Sequence, residues 1–226
     1  MKTYASALIG LAVTCATGLA SAETLTFRQG VDGYAGTSDT SLFEDNANTS
    51  IAGSKRLFIQ NGEKGGQPNQ RHVLIRFGNL YGEGQRQVPA GATVTKATLT
   101  LSRDYGFSPD GGLEVYAMTV PFENGATWNS FGDGVSLGEQ TESQPVGAFS
   151  LFNTESGGAT ADVTASVAAW ASDPSANLGW AIREADRVGF KGTSAAYSSE
   201  AEDLDTRPML TVEFTPAEPA DPTEPE

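Results

Sequence analysis

The chain has few of the residues on which most site chemistry is built. It contains one cysteine, Cys15, and one histidine, His72, in 226 residues. A zinc centre or a Cys-His nucleophile pair therefore has almost nothing to be made from. A Ser-His-Asp arrangement would have to use His72, and no G-x-S-x-G turn accompanies it. Basic residues are scarce too, with 14 Lys and Arg against 28 Asp and Glu. Such a surface repels nucleic acid and anionic lipid, so no nucleic-acid partner is expected. Long apolar runs are also missing. Ala7–Val13 is far too short to span a bilayer, so no membrane insertion is expected.

That run belongs to a leader. Lys2 precedes it, and Ala20-Ser21-Ala22 follows with the small-x-small pattern of a cleavage site, so residues 1–22 read as a secretory signal peptide. Thr14 stands before Cys15 where a lipoprotein signal needs a small residue. The mature chain is expected to start at Glu23 and to be secreted, extracellular or periplasmic. Lys2 is the leader's only charge, so 13 of the 14 basic and all 28 acidic residues remain, a net charge of −15. Cys15 leaves with the leader, and about 200 residues suffice for a hydrophobic core without disulfides.

What the mature chain does have is β-pattern. Short alternating runs recur at Leu25–Phe27, Ser41–Phe43, Leu57–Gln60, Val73–Phe77, Ala97–Ser102, Leu113–Thr119, Ala148–Phe152, Gly179–Arg183, Ser194–Tyr197 and Met209–Phe214. Polar, Gly-rich turns such as NGEKGGQPN (61–69) and SPDGG (108–112) separate them. Many short strands with frequent turns predict an all-β, antiparallel sandwich over 23–215. One segment differs. Val163, Val167 and Trp170 fall on one helical stripe behind Asp162 as N-cap, which predicts a short helix ending near Asp173-Pro174. Residues 216–226 carry prolines and acids without an apolar anchor and read as a disordered tail or linker stump.

Period-two alternation sorts two faces. Val73, Ile75 and Phe77, Ala97, Leu99 and Leu101, Leu113 and Val115, and Trp180 and Ile182 form the expected core. His72 and Arg76, Tyr116 and Arg183 fall on the opposite face, which reads as one that meets a ligand. Trp128, Trp170 and Trp180 are expected in the core. Tyr34, Tyr81, Tyr105 and Phe107 lie beside glycines, where stacking rings can be exposed.

Several stretches together resemble the DNRLRE domains of secreted microbial proteins. They are DGYAGTSDTSL (32–42), RHVLIRFGNL (71–80), VPAGATVTKATLTL (88–101), ENGATWNSF (123–131), ADVTASVAAW (161–170), NLGWAIR (177–183) and SSEAEDLDTRPMLTVEF (198–214). The resemblance implies a jelly-roll β-sandwich with one short helix, acting as an accessory module. Members classed as carbohydrate-binding modules recognise acidic polysaccharides such as alginate, and others occur in surface or matrix proteins.

The expected function is therefore non-catalytic binding of an extracellular polysaccharide, including an acidic one. Arg56, His72, Arg76, Tyr105, Tyr116 and Arg183 are the candidate ligand contacts, since arginine's planar fork suits carboxylates and hydroxyls. Calcium is the cofactor that the acid-rich first loops would take, through Asp32, Asp39 and Asp45 with Glu44 and Asn46 nearby. Glu200 and Arg207 are expected to pair across the base of the last loop as a structural bracket. The alternatives are an adhesive or structural surface protein and, third, a polysaccharide lyase or hydrolase using His72 or Tyr116.

Overall fold

A computed structural model describes residues 21–64, 66–105, 112–149, 158–185 and 193–217. Residues 1–20 of the expected leader, Phe107, residues 108–111 and the tail from 218 onward lie outside them. The strands are β1 (Glu23–Arg28), β2 (Thr37–Phe43), β3 (Arg56–Gln60), the short pair β4 (Glu63–Lys64) and β5 (Gln67–Pro68), β6 (Arg71–Phe77), β7 (Thr93–Tyr105), β8 (Leu113–Ala117), β9 (Gly147–Ala148), β10 (Gly158–Asp162), β11 (Trp180–Glu184), β12 (Thr193–Tyr197) and β13 (Met209–Thr215). Helix α1 (Thr164–Ser172) lies between β10 and β11.

The strands pair antiparallel into one continuous curled sheet. One layer runs β1-β13-β7-β10, and the other contains β2-β6-β11-β8-β9. β12 and β3 join them, because β12 takes over the edge of β7 where β13 ends and β3 meets β6 at Gln60 and Arg71. The inward positions are those that period-two alternation selects. Leu99, Leu101, Leu210, Val212 and Phe214 from the first layer pack with Val73, Ile75, Phe77, Val115, Trp180 and Ile182 from the second in one core. The fold is all-β and sandwich-like, with one short α-helix among the described residues.

That helix starts at Thr164, one residue later than Asp162 as N-cap implies. Asp162 ends β10 and receives the N–H (2.9 Å) and hydroxyl (2.6 Å) of Thr164, so it caps from just outside the first turn. Ala159 and Ala161 are inward positions of β10 paired with Leu101 and Leu99. Val163, Val167 and Trp170 press α1 onto the core, where Trp170 meets Trp180 at 4.8 Å and Ser166 receives the Trp180 indole N–H. All three tryptophans are buried, as expected.

β2 is unusual in turning polar groups inward. Thr37, Asp39 and Ser41 share a register face with Phe77, Ile75 and Val73 of β6. Ser41 and Asp39 serve N–H groups of β3 and of the turn after β12. Ser41 Oγ accepts from Phe58 N at 2.9 Å, and Asp39 Oδ2 accepts from Ser199 N at 2.8 Å. A polar seam thus closes one side of the core, since buried N–H groups must find acceptors.

Candidate ligand-binding surface

The outer face of β2, β6, β11 and β8 is covered over much of its area. Residues 119–140 fold across it and bury Ala126, Trp128 and Val135 against Leu42, Leu74, Met118 and Ala181 in a second, smaller core. Gly134 makes this roof possible, because it adopts φ +86° and a Cβ there would meet the Trp128 ring at 2.6 Å. Trp128 lies 4.9 Å from His72. The His72 Nδ1 accepts from Val135 N at 3.0 Å, so its Nε2 carries the hydrogen and donates to Gln70 Oε1 at 3.2 Å. Burial, and then Arg183 nearby, pushes its pKa down to about 3, which keeps the ring neutral.

His72 was expected on an open face and instead pins the roof. Its neighbours on this layer are only partly accessible. Tyr116 is buried and donates to Glu114 Oε2 at 2.6 Å, while Arg183 stands beside Glu114 in register. Arg76 is half-buried opposite Ser38. Four of the six expected contacts thus belong to a face whose centre is packed.

The other two, Arg56 and Tyr105, come together elsewhere. The inward alternation of β7 holds through Leu99 and Leu101 and then stops, with Arg103 and Tyr105 both exposed. A bulge intervenes, since Arg103 and Tyr105 face consecutive residues, Ala196 and Ala195, leaving Asp104 as the extra residue. Tyr105, just past the bulge, lies beside Phe58 and is 45% exposed, the most open large hydrophobic side chain described. Phe58 in turn meets Phe43 edge to face at 5.4 Å, and its ring centroid is 6.5 Å from that of Tyr105. The Arg71 guanidinium lies 4.4 Å from the Phe43 centroid and 5.8 Å from that of Phe58. Three rings therefore make a ribbon at the surface with a cation along it.

Arg56 borders the ribbon two residues before Phe58. Its Nε lies 2.6 Å from Asp104 Oδ2, and the same carboxylate raises the pKa of its cross-strand neighbour Tyr197. Arg71 carries Asp45 at 3.4 Å. Beyond Arg56 the ribbon opens into a cleft of about 320 Å³ whose wall includes Lys55, Tyr197, Ala201 and Asp203. Phe43, Phe58, Arg71, Asp104 and Tyr197 were missed as site residues. The alternation in RLFIQ places Phe58 and Arg56 on one face, opposite the buried Leu57 and Ile59, and was the available signal.

The expected calcium ligands do not converge. Asp32 sits at φ +50° in the turn after β1 and pairs with Arg86 at 2.8 Å, and Asp45 pairs with Arg71. Asp39 is inside the seam, only 3% exposed, against Glu200. Burial first, then the Glu200 charge, pushes the Asp39 pKa up to about 8. Asp39 Oδ1 and Glu200 Oε2 receive no hydrogen bond from elsewhere in the protein, so a proton held between the two carboxyls accounts for both. Among the described residues no three or more His, Cys, Asp or Glu side chains are grouped to hold a metal.

The expected Glu200–Arg207 pair does not form. Glu200 points to the seam and accepts from the Ser199 hydroxyl at 2.9 Å, while Arg207 donates to the carbonyls of Ala201 (2.8 Å) and Gln29 (3.0 Å). The bracket exists, but Arg207 builds it with backbone oxygens alone. The remaining loop acids behave as a solvated loop should. Glu202 pairs with Lys55, Asp205 with Arg28, and Asp203 accepts from Asp205 N. Tyr34 and Tyr81, expected as exposed rings, are tucked in. Tyr34 donates to Gly78 O at 2.9 Å, Tyr81 donates to Val167 O, and burial raises both pKa values.

Neither the family models nor the curated proteins compared with this chain match it. Among the described residues no helix is long and apolar enough to cross a membrane. Chemically, the ribbon offers flat apolar surface flanked by adjacent donors and acceptors. The paired acids at the seam and the one imidazole are enclosed by packing.

Proposed function

We propose that this chain is a secreted, non-catalytic module that binds an extracellular polysaccharide along the Phe43–Phe58–Tyr105 ribbon. The observation that carries this reading is the surface row of rings ending at the half-exposed Tyr105, beside the guanidinium groups of Arg56 and Arg71. Sugar rings present C–H faces that pack on aromatic rings and hydroxyls that bond to neighbouring polar groups. The likeness of the strand motifs to DNRLRE domains and the signal-peptide pattern support the same reading. The enclosure of His72 and Asp39 supports a non-catalytic role, because a base must reach its proton within about 3 Å.

A structural or adhesive surface protein is the second reading. It is favoured by the roofed face and by the ion pairs that Arg56 and Arg71 already make. Affinity gel electrophoresis against a panel of neutral and acidic polysaccharides, with and without calcium, separates the two. The binding reading expects retardation by at least one polysaccharide. Migration unchanged in every gel would leave the structural reading in its place.

A further inference from the structure

Resting on the polysaccharide-binding reading, we infer that the ribbon is built for a neutral, hydroxyl-rich glycan rather than a polyanionic one, with Asp104 setting that preference. Three cations along it, Arg56, Arg71 and Lys55, each already carry an acid. Arg56 has Asp104 at 2.6 Å, Arg71 has Asp45 at 3.4 Å, and Lys55 is paired with Glu202. The exposed Arg103 and the cleft's Asp203 add one charge of each sign, so the local balance is zero. The whole chain carries −14, which repels a polyanion before it arrives.

At contact the pairs act differently on the two ligand classes. A carboxylate laid beside Phe58 and Tyr105 would face the negative charge of Asp104 or Asp45, and would have to displace it from the arginine. Like charges brought together in a partly dry site oppose binding. A sugar hydroxyl meets no such opposition, because it both donates and accepts. Arg56 retains N–H donors that Asp104 does not use, and Asp104 supplies acceptor capacity next to them. The two form a donor and an acceptor side by side, which suits neighbouring hydroxyls on one sugar ring. Asp104 lies beside Arg56 and is itself the extra residue of the β7 bulge next to Tyr105. The group that neutralises Arg56 and the residue that breaks the strand register beside the stacking ring are therefore one residue.

The test compares a soluble neutral glucan or mannan with a polyuronate of similar length, by affinity electrophoresis and calorimetry at low and high salt. The wild type is expected to bind the neutral polymer with a Kd that changes less than about twofold with salt, since no net ion pairing is involved. It is expected not to retard on the polyuronate. Asp104→Asn, which keeps the bulge residue's shape and frees the Arg56 charge, should weaken neutral binding by about tenfold and create salt-sensitive polyuronate binding. Tyr197→Phe, which removes one hydroxyl, provides a second variant should Asp104→Asn fold poorly, and should weaken neutral binding several-fold. Salt-sensitive binding of the wild type to polyuronate alone would overturn the inference and leave the module reading standing. Neutral binding unchanged in both variants would also overturn it. Wild-type binding to neither class would remove the module reading itself.

Discussion

Two parts of this surface use similar residues to opposite ends. On the β6 and β11 face, an indole lies 4.9 Å from an imidazole, and residues 119–140 seal both from water. Along the ribbon, the Arg71 guanidinium of β6 lies 4.4 Å from the Phe43 ring of β2, and the row of rings ends half-exposed at Tyr105 of β7. Aromatic and basic residues alone do not mark a ligand site. What separates the two is whether a distant segment arrives to cover them and how each cation or imidazole is satisfied. His72 is neutral and bonded through both nitrogens, whereas Arg56 and Arg71 keep their charge beside acids at the surface.

Removing the roof's anchor should have the largest effect. Trp128→Ala empties the centre of the second core and is expected to cost about 3–5 kcal/mol, seen as a clear drop in the urea midpoint. A loss below about 1 kcal/mol would mean that 119–140 lies loosely on the face, and the contrast between the two regions would fail. Next comes Arg207→Ala, which strands the carbonyls of Ala201 and Gln29 at the loop walling the cleft. It should cost about 1–3 kcal/mol, with Glu200→Gln showing a different pH dependence because Glu200 belongs to the seam.

The seam itself gives a pH signature. A carboxyl raised to about 8 keeps its proton in the folded state over the range where the unfolded chain, titrating near 4, has lost it. Asp39 therefore stabilises fully below about pH 4, and that contribution is lost as pH rises to about 8. Glu184, raised to about 7 by burial, acts in the same direction. His72 acts oppositely, its stabilisation being present above about 6.5 and lost as pH falls toward 3. Above about pH 7.5 His72 is almost wholly neutral in both states, so the decline in Tm from there to about 8.5 reports the acids. Asp39→Asn should flatten that decline, leaving only the smaller share of Glu184. An equal slope in the variant and the wild type would show that Asp39 carries no proton in the seam. The smallest stability effect is expected from Tyr105→Ala, within about 0.5 kcal/mol, as suits a surface side chain.

Much of the fold was legible because its signal is local. Inward alternation at Val73, Ile75 and Phe77 and at Ala97, Leu99 and Leu101 needs only the strand's own two-residue period. The strand before the helix, β10, was missed because its inward residues, Ala159 and Ala161, are too small to stand out as an alternating apolar run. The site was less legible for a different reason. Whether His72 faces solvent depends on Trp128 and Val135, more than 50 residues later in the chain. Tyr105 was legible from the glycine beside it, but Asp104, the extra residue inserted opposite β12 next to Arg56, was not, because a bulge leaves no mark in an alternation pattern. Asp39 looked like a loop metal ligand because inward polar positions are rare. Its place follows from the N–H of Ser199, in the turn after β12, which no pattern within β2 contains.

The most direct test is to follow retardation in a polysaccharide gel for two variants whose folding is checked by thermal melting. Tyr105→Ala should retain the wild-type Tm and lose retardation, while the milder roof variant Trp128→Phe should melt earlier and be retarded like the wild type. Retardation kept by Tyr105→Ala and lost by a folded Trp128→Phe would put the ligand on the roofed face and contradict the account.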